Sequence, residues 1–172
     1  MNLGITAKTA IVTAASSGLG EYAARALAAS GVVNRLAFGH IDLQADLGMR
    51  CGADESELLP ARFELVLASR LAGLPPPIDG VTADFRDSGR VGAQAERALR
   101  LGFGAKLCIH PAQVAPVHAA FVPSADEQAW AERVLAAARG ASGGAIQVDG
   151  RMVDRPVVLL AERMLRHARV TE

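Results

Sequence analysis

One feature constrains the fold more than any other: short apolar runs alternate with longer stretches of helical spacing. The runs are Thr9–Thr13, Leu36–Ile41, Ile78–Ala83 and Leu107–His110. Between and after them lie Glu21–Ser30, Asp54–Ala72, Gly89–Leu101, Ser124–Arg139 and Pro156–Ala168, each predicted to be a helix. Gly31 and Gly73 suit helix ends, and Pro75, Pro76 and Pro77 forbid continuation past the second helix. Ser124 and Glu127 form a capping box, Asp154 stands as the N-cap before Pro156, and Ala145–Val148 reads as a further short strand. Strand and helix alternating at this spacing predict parallel βα units, about four of them. Such a chain is α/β. It is either part of a (β/α)8 barrel or a small open sheet, and both place sites at the C-terminal ends of strands. Asp42, Asp84 and His110 stand there.

The overall charge narrows the partners. Lys plus Arg and Asp plus Glu number 18 each, so neither nucleic acid nor an anionic membrane surface is expected to bind. No apolar run reaches the ~18 residues that a spanning helix needs. The N-terminus lacks a basic start followed by a long apolar block, so the expected compartment is the cytoplasm. Two cysteines make no disulfide framework: Cys51 reads as a loop thiol, Cys108 as a small core residue.

The stretch NRLAFGHIDLQADLG carries the first chemical signal, because an apolar run there ends at a carboxylate, Asp42. A hard cation such as Mg²⁺ is commonly held by one or two carboxylates, with water and substrate oxygens completing the shell. Asp46 reads as a solvated acid and His40 as a packed core residue. No soft-metal spacing or Ser-His-Asp signature is present.

Four segments then resemble one family: RLAFGHIDLQADLG, ARFELVLASRLAGLPPPIDGVTADFRD, ALRLGFGAKLCIHPAQVAPVHAAFVPS and VDGRMVDRPVVLLAERML. Their order and spacing are similar to those of the HpcH/HpaI aldolase/citrate lyase β-subunit family, the CoA-ester lyases. The resemblance implies a (β/α)8 barrel that makes or breaks a carbon–carbon bond beside a thioester or keto acid, with Mg²⁺. It implies that Asp42 binds metal, and that Asp154 is catalytic on a C-terminal helical arm reaching a neighbouring subunit. It also implies that Lys106, His110 and Pro111 shape the CoA channel. The partners it implies are an acyl-CoA or keto acid and a second subunit, either another copy or a paralogue.

Two departures qualify that expectation. The segment before Leu36 is too short for the family's first half, and Ala14 or Ala15 falls where the family's metal-binding Glu would stand. The chain is therefore expected to be truncated. An inactive barrel fragment that associates with itself or a full-length paralogue is the alternative to an active lyase. The opening MNLGITAKTAIVTAASSGLGEYAARALA also resembles the strand, Gly-rich turn and helix of a short-chain dehydrogenase, which would imply NAD(P). The expected organisation is a dehydrogenase-like start over 1–28, a half-barrel over 29–140 and an arm over 141–172.

Overall fold

The computed structural model describes residues 34–140 and 146–170. The expected strand Thr9–Thr13, the Gly-rich turn and the helix Glu21–Ser30 lie outside the described residues. The remainder divides into two compact units, one ending at Ala120 and one beginning at Phe121.

In the first unit three extended segments run parallel. Ala37 bridges Ile78, and β1 (Ile78–Asp79) pairs with β2 (Ala105–Lys106). Among the described residues spatial order follows chain order, with no reversal of the kind that marks a doubly wound sheet. Strands laid side by side in this sense form an arc of a (β/α)8 barrel. The helices between them are α1 (His40–Leu47), α2 (Leu59–Leu71) and α3 (Ser88–Leu101). Leu36, Phe38, Leu43, Leu58, Leu65, Val91, Ala95, Ala98 and Phe103 are buried in this unit.

The paired lengths are shorter than the apolar runs, for physical reasons. The run Leu36–Ile41 leaves the sheet at Gly39, because α1 begins at His40 and buries His40 and Leu43 at helical spacing. Gly48 ends that helix in the left-handed conformation, with φ 62°. Beyond β1, the backbone carbonyls of Gly80 and Thr82 accept from the side chains of Lys106 and Gln113, not from a neighbouring strand. The fourth run is displaced: pairing occurs at Ala105–Lys106, while Ile109 donates its N–H to the Gln113 side chain. Cys108 is accordingly exposed, which corrects its reading as a core residue. A 3-10 turn (Pro111–Gln113) and α4 (Val114–Phe121) follow.

The second helix is preceded by a 3-10 turn, Ser56–Leu58. Helical spacing predicts an apolar face of Leu58, Leu59, Leu65, Val66, Leu67 and Leu71; Leu58 and Leu65 are buried, but Leu59 and Leu71 are exposed, while Arg62 and Ser69 are buried. Gly73 closes this helix with φ 67°.

The second unit contains α5 (Ala125–Gly140), the antiparallel hairpin β3 (Ile146–Val148) with β4 (Arg151–Val153), and α6 (Arg155–Val170). Ala131, Val134, Val148, Val153 and Ala161 form its core. The capping box is made as expected. Ser124 N donates to Glu127 Oε2 at 2.8 Å, and Glu127 N donates to Ser124 Oγ at 3.2 Å. Asp149 and Gly150 form the hairpin turn, with φ 52° and 76°. Positive φ at both positions defines the two-residue turn that Asp-Gly favours.

Candidate functional site

A network of buried and half-buried charged groups lies at the ends of β1 and β2. Arg62, 1 % exposed on α2, donates from Nε to Asp79 Oδ1 at 3.0 Å and from Nη2 to Glu55 Oε2 at 2.6 Å. Glu55 also accepts from Arg97 Nη2 at 2.6 Å and from Gln94 Nε2 at 2.9 Å. Lys106 Nζ lies 3.5 Å from Asp79 Oδ2 and donates to the Gly80 carbonyl at 2.6 Å. Thr82 hydroxyl donates to Gln94 Oε1 at 2.6 Å. These contacts tie α2, α3 and both strand ends into one network.

Burial and pairing set the charge states. For Glu55, burial opposes ionisation, but the hydrogen bond and charge of Arg62, with those of Arg97, outweigh it and hold the carboxyl below its usual range. Burial pulls Lys106 down, and Asp79 only partly restores it. Burial likewise lowers the pKa of His40, which keeps its imidazole neutral. Glu55 itself sits in the left-handed region at φ 53°, a conformation rare for a residue with a side chain. Its three side-chain partners, Arg62, Arg97 and Gln94, over-determine that backbone.

Above the network opens a cleft of about 350 Å³ lined by His40, Gln44, Glu55, Thr82, Asp84 and Arg90, among others. His40 is buried, as expected. Its ring lies against Gly80, where an added Cβ would meet His40 and the Phe38 carbonyl oxygen. That close approach is the reason for glycine at position 80.

The residues singled out from the sequence fall in different settings. Asp42 lies in the first turn of α1, not at the end of a strand, which corrects the expected local structure. It is exposed, does not line the cleft, and enters no hydrogen bond or ion pair among the described residues. Asp46 is exposed on the same helix. Lys106 is buried and committed to Asp79 and Gly80. His110 and Pro111 are exposed, side by side at the end of β2. The ring of His110 stacks on Phe85 at a centroid distance of 4.3 Å. Asp84 is exposed and accepts from Arg86 N at 3.1 Å. Asp154 belongs to the second unit, where its Oδ1 accepts from Val157 N at 3.4 Å and its carbonyl from Val158 N at 3.1 Å. It is exposed and caps α6.

Sequence reasoning missed Glu55, Arg62, Gln94 and Gln113. An arginine on the apolar face of a helix, at position 62 between Leu58 and Leu65, was the available signal. A buried guanidinium requires carboxylate partners.

Comparison with known proteins decides the family. The model of the HpcH/HpaI aldolase/citrate lyase family matches residues 3–111. The chain belongs to the HpcH/HpaI aldolase/citrate lyase family. A citrate lyase subunit beta-like protein of Deinococcus radiodurans is 36% identical over 160 residues, covering 91% of this chain and 56% of that protein. A mitochondrial citramalyl-CoA lyase of Rattus norvegicus is 32% identical over 136 residues, covering 77% of this chain and 40% of that protein. Among solved structures, CitE of Mycobacterium tuberculosis in complex with magnesium, acetoacetate and coenzyme A aligns with a TM-score of 0.75 and 36% identity. That alignment covers 85% of this chain and 56% of that one. The chain therefore spans about half the length of the relatives it matches. Because the family match begins at residue 3, the opening segment falls inside it, and the resemblance to a short-chain dehydrogenase is not borne out.

Proposed function

We propose that this chain works as a carbon–carbon lyase on a CoA thioester or keto acid, with Mg²⁺, in the cytoplasm and within an oligomer. The observation that carries this reading is the state of Asp42. Most acids near the strand ends are engaged, whereas Asp42 presents an exposed carboxylate with no partner among the described residues. Among those residues no cluster of three metal-ligating side chains exists. A Mg²⁺ ion held by one carboxylate, with water and substrate oxygens completing its shell, fits that donor set. Magnesium bound there would supply Lewis acidity at a substrate oxygen.

The chain's own residues take the remaining roles. Asp42 holds the ion. Lys106, fastened to Asp79 and Gly80, fixes the ends of β1 and β2 and so shapes the channel without touching the ligand. His110 and Pro111 border the channel. Asp154, exposed at the start of α6, serves as the proton-transferring acid toward a neighbouring subunit. Free thiols at Cys51 and Cys108 suit a reducing compartment.

The test uses the full chain. Magnesium and coenzyme A binding are measured by calorimetry, and acyl-CoA cleavage by chromatography of the thioester products. Asp42→Asn is expected to abolish magnesium binding and to lower turnover about 100-fold or more. One observation favours a second reading, that of a non-catalytic barrel fragment: Asp42 does not line the cleft. Absence of magnesium binding together with absence of cleavage decides for that reading.

A further inference from the structure

We propose that Phe85 is a positioning residue that holds His110 as its Nε2–H tautomer, making His110 a hydrogen-bond donor to a ligand oxygen and not a base. The ligand named here, a thioester of coenzyme A, rests on the reading above; the tautomer does not.

The argument begins with the backbone. His110 is the N-cap of the 3-10 turn Pro111–Gln113, and its Nδ1 lies 3.1 Å from Ala112 N. A backbone amide only donates, so Nδ1 must present its lone pair. In a neutral imidazole the single proton then sits on Nε2. Both ring nitrogens are thereby assigned: one is consumed by the cap and the other carries hydrogen. No lone pair is left to accept a proton from a substrate while the cap persists.

The ring is held from its face as well. Phe85 stacks on it at 4.3 Å between centroids, with 19° between planes. The Arg86 guanidinium carbon lies 5.6 Å from the Phe85 ring centroid, and Arg86 N donates to Asp84 Oδ1 at 3.1 Å. The β1-end loop thus supplies a flat surface, and the β2-end loop supplies the cap. Rotation of the imidazole by half a turn would break the cap and leave Ala112 N to solvent. His110 is exposed, and its Nε2 edge has no partner among the described residues. A fixed donor at the strand ends suits an oxygen that gains negative charge during bond cleavage.

The test has two readouts on the full chain. Long-range proton–nitrogen correlation spectra of ¹⁵N-histidine protein, at a pH where imidazoles are neutral, report the tautomer, with His110→Gln assigning the resonance. Wild type is expected to show Nε2–H; Phe85→Leu is expected to show a mixture, and Phe85→Tyr to restore the wild-type pattern. Phe85→Met, which fills space without a flat face, replaces Phe85→Leu if that variant does not fold. An Nδ1–H pattern in wild type, or an unchanged Nε2–H pattern in the folded leucine or methionine variant, overturns the proposal. The second readout is affinity for acetyl-CoA, which carries the thioester oxygen. His110→Gln keeps a donor in the Nε2 position and is expected to stay within about threefold of wild type, whereas His110→Ala weakens binding up to about tenfold. Equal losses in both overturn the donor role. An Nε2–H tautomer in a chain that does not bind acetyl-CoA upholds the tautomer lock and overturns the thioester reading.

Discussion

Replacing Arg62 by methionine keeps most of the side-chain length and removes the guanidinium. Two carboxylates then change state. Asp79, 0 % exposed, loses its 3.0 Å partner and retains only Lys106 at 3.5 Å. Glu55 loses one of its two cationic partners and keeps Arg97 and Gln94. Removing one member of a buried pair costs about 3–5 kcal/mol, because the charge left behind is neither solvated nor balanced. The upper half of that range applies to Asp79, which has no access to water. The assay is urea denaturation followed by far-UV circular dichroism, reading the midpoint at constant slope. Fluorescence is unsuitable, because the sole tryptophan, Trp130, lies on α5 in the second unit. A second substitution sharpens the test. In the Arg62→Met background, Asp79→Asn removes the orphaned charge and is expected to recover about 1 kcal/mol or more. A loss under about 1 kcal/mol for Arg62→Met, or no recovery in the double variant, refutes the claim that ion pairing holds the strand ends.

Other outcomes follow from the same geometry. Gly80→Ala drives a Cβ against the His40 ring and to 2.9 Å from the Phe38 carbonyl oxygen. It is expected to lower stability by about 1–3 kcal/mol in thermal denaturation, since backbone cannot yield as a side chain can. Glu55 has its pKa depressed in the folded chain, so its contribution is complete above the ordinary carboxylate range and is lost as pH falls through the depressed value. Wild type is therefore expected to lose more stability than Glu55→Gln between neutral and acidic pH, measured by melting temperature across a pH series. Gly150, at φ 76° in the hairpin turn, is expected to cost about 1 kcal/mol or more when replaced by valine, read from the urea midpoint.

The parts of the fold legible in the sequence are those fixed by local chemistry. The helix over Gly89–Leu101 begins one residue earlier; of its expected inward residues Val91, Ala95 and Ala98 are buried, whereas Leu99 is exposed. The Ser124–Glu127 box closes as its spacing requires. Strand extents were less legible, because an apolar run does not reveal where a side chain replaces a neighbouring strand as the hydrogen-bond partner. The hairpin after Ile146 has its own local signal, the Asp149-Gly150 turn pair. The network around Arg62 was illegible for a different reason: its members come from positions 55, 62, 79, 94, 97 and 106, and only the fold brings them together.

Hydrogen-bond accounting separates structural polar groups from available ones at the strand ends. Buried backbone groups must find partners, and here side chains supply them. Lys106 takes the Gly80 carbonyl, while Gln113 takes the Thr82 carbonyl and the Ile109 amide. Each such contact withdraws a side chain from chemistry. Lys106 is a ligand-binding cation by type, yet its ammonium is spent within the fold. Asp42, with Asp46 on the same helix, and the Nε2 edge of His110 are left unspent among the polar groups singled out in the first unit. One is a hard oxygen donor suited to a cation, and the other is a hydrogen-bond donor suited to an oxygen. A reaction that places negative charge on a carbonyl oxygen uses both kinds of group, and needs neither a thiol nor a free amine.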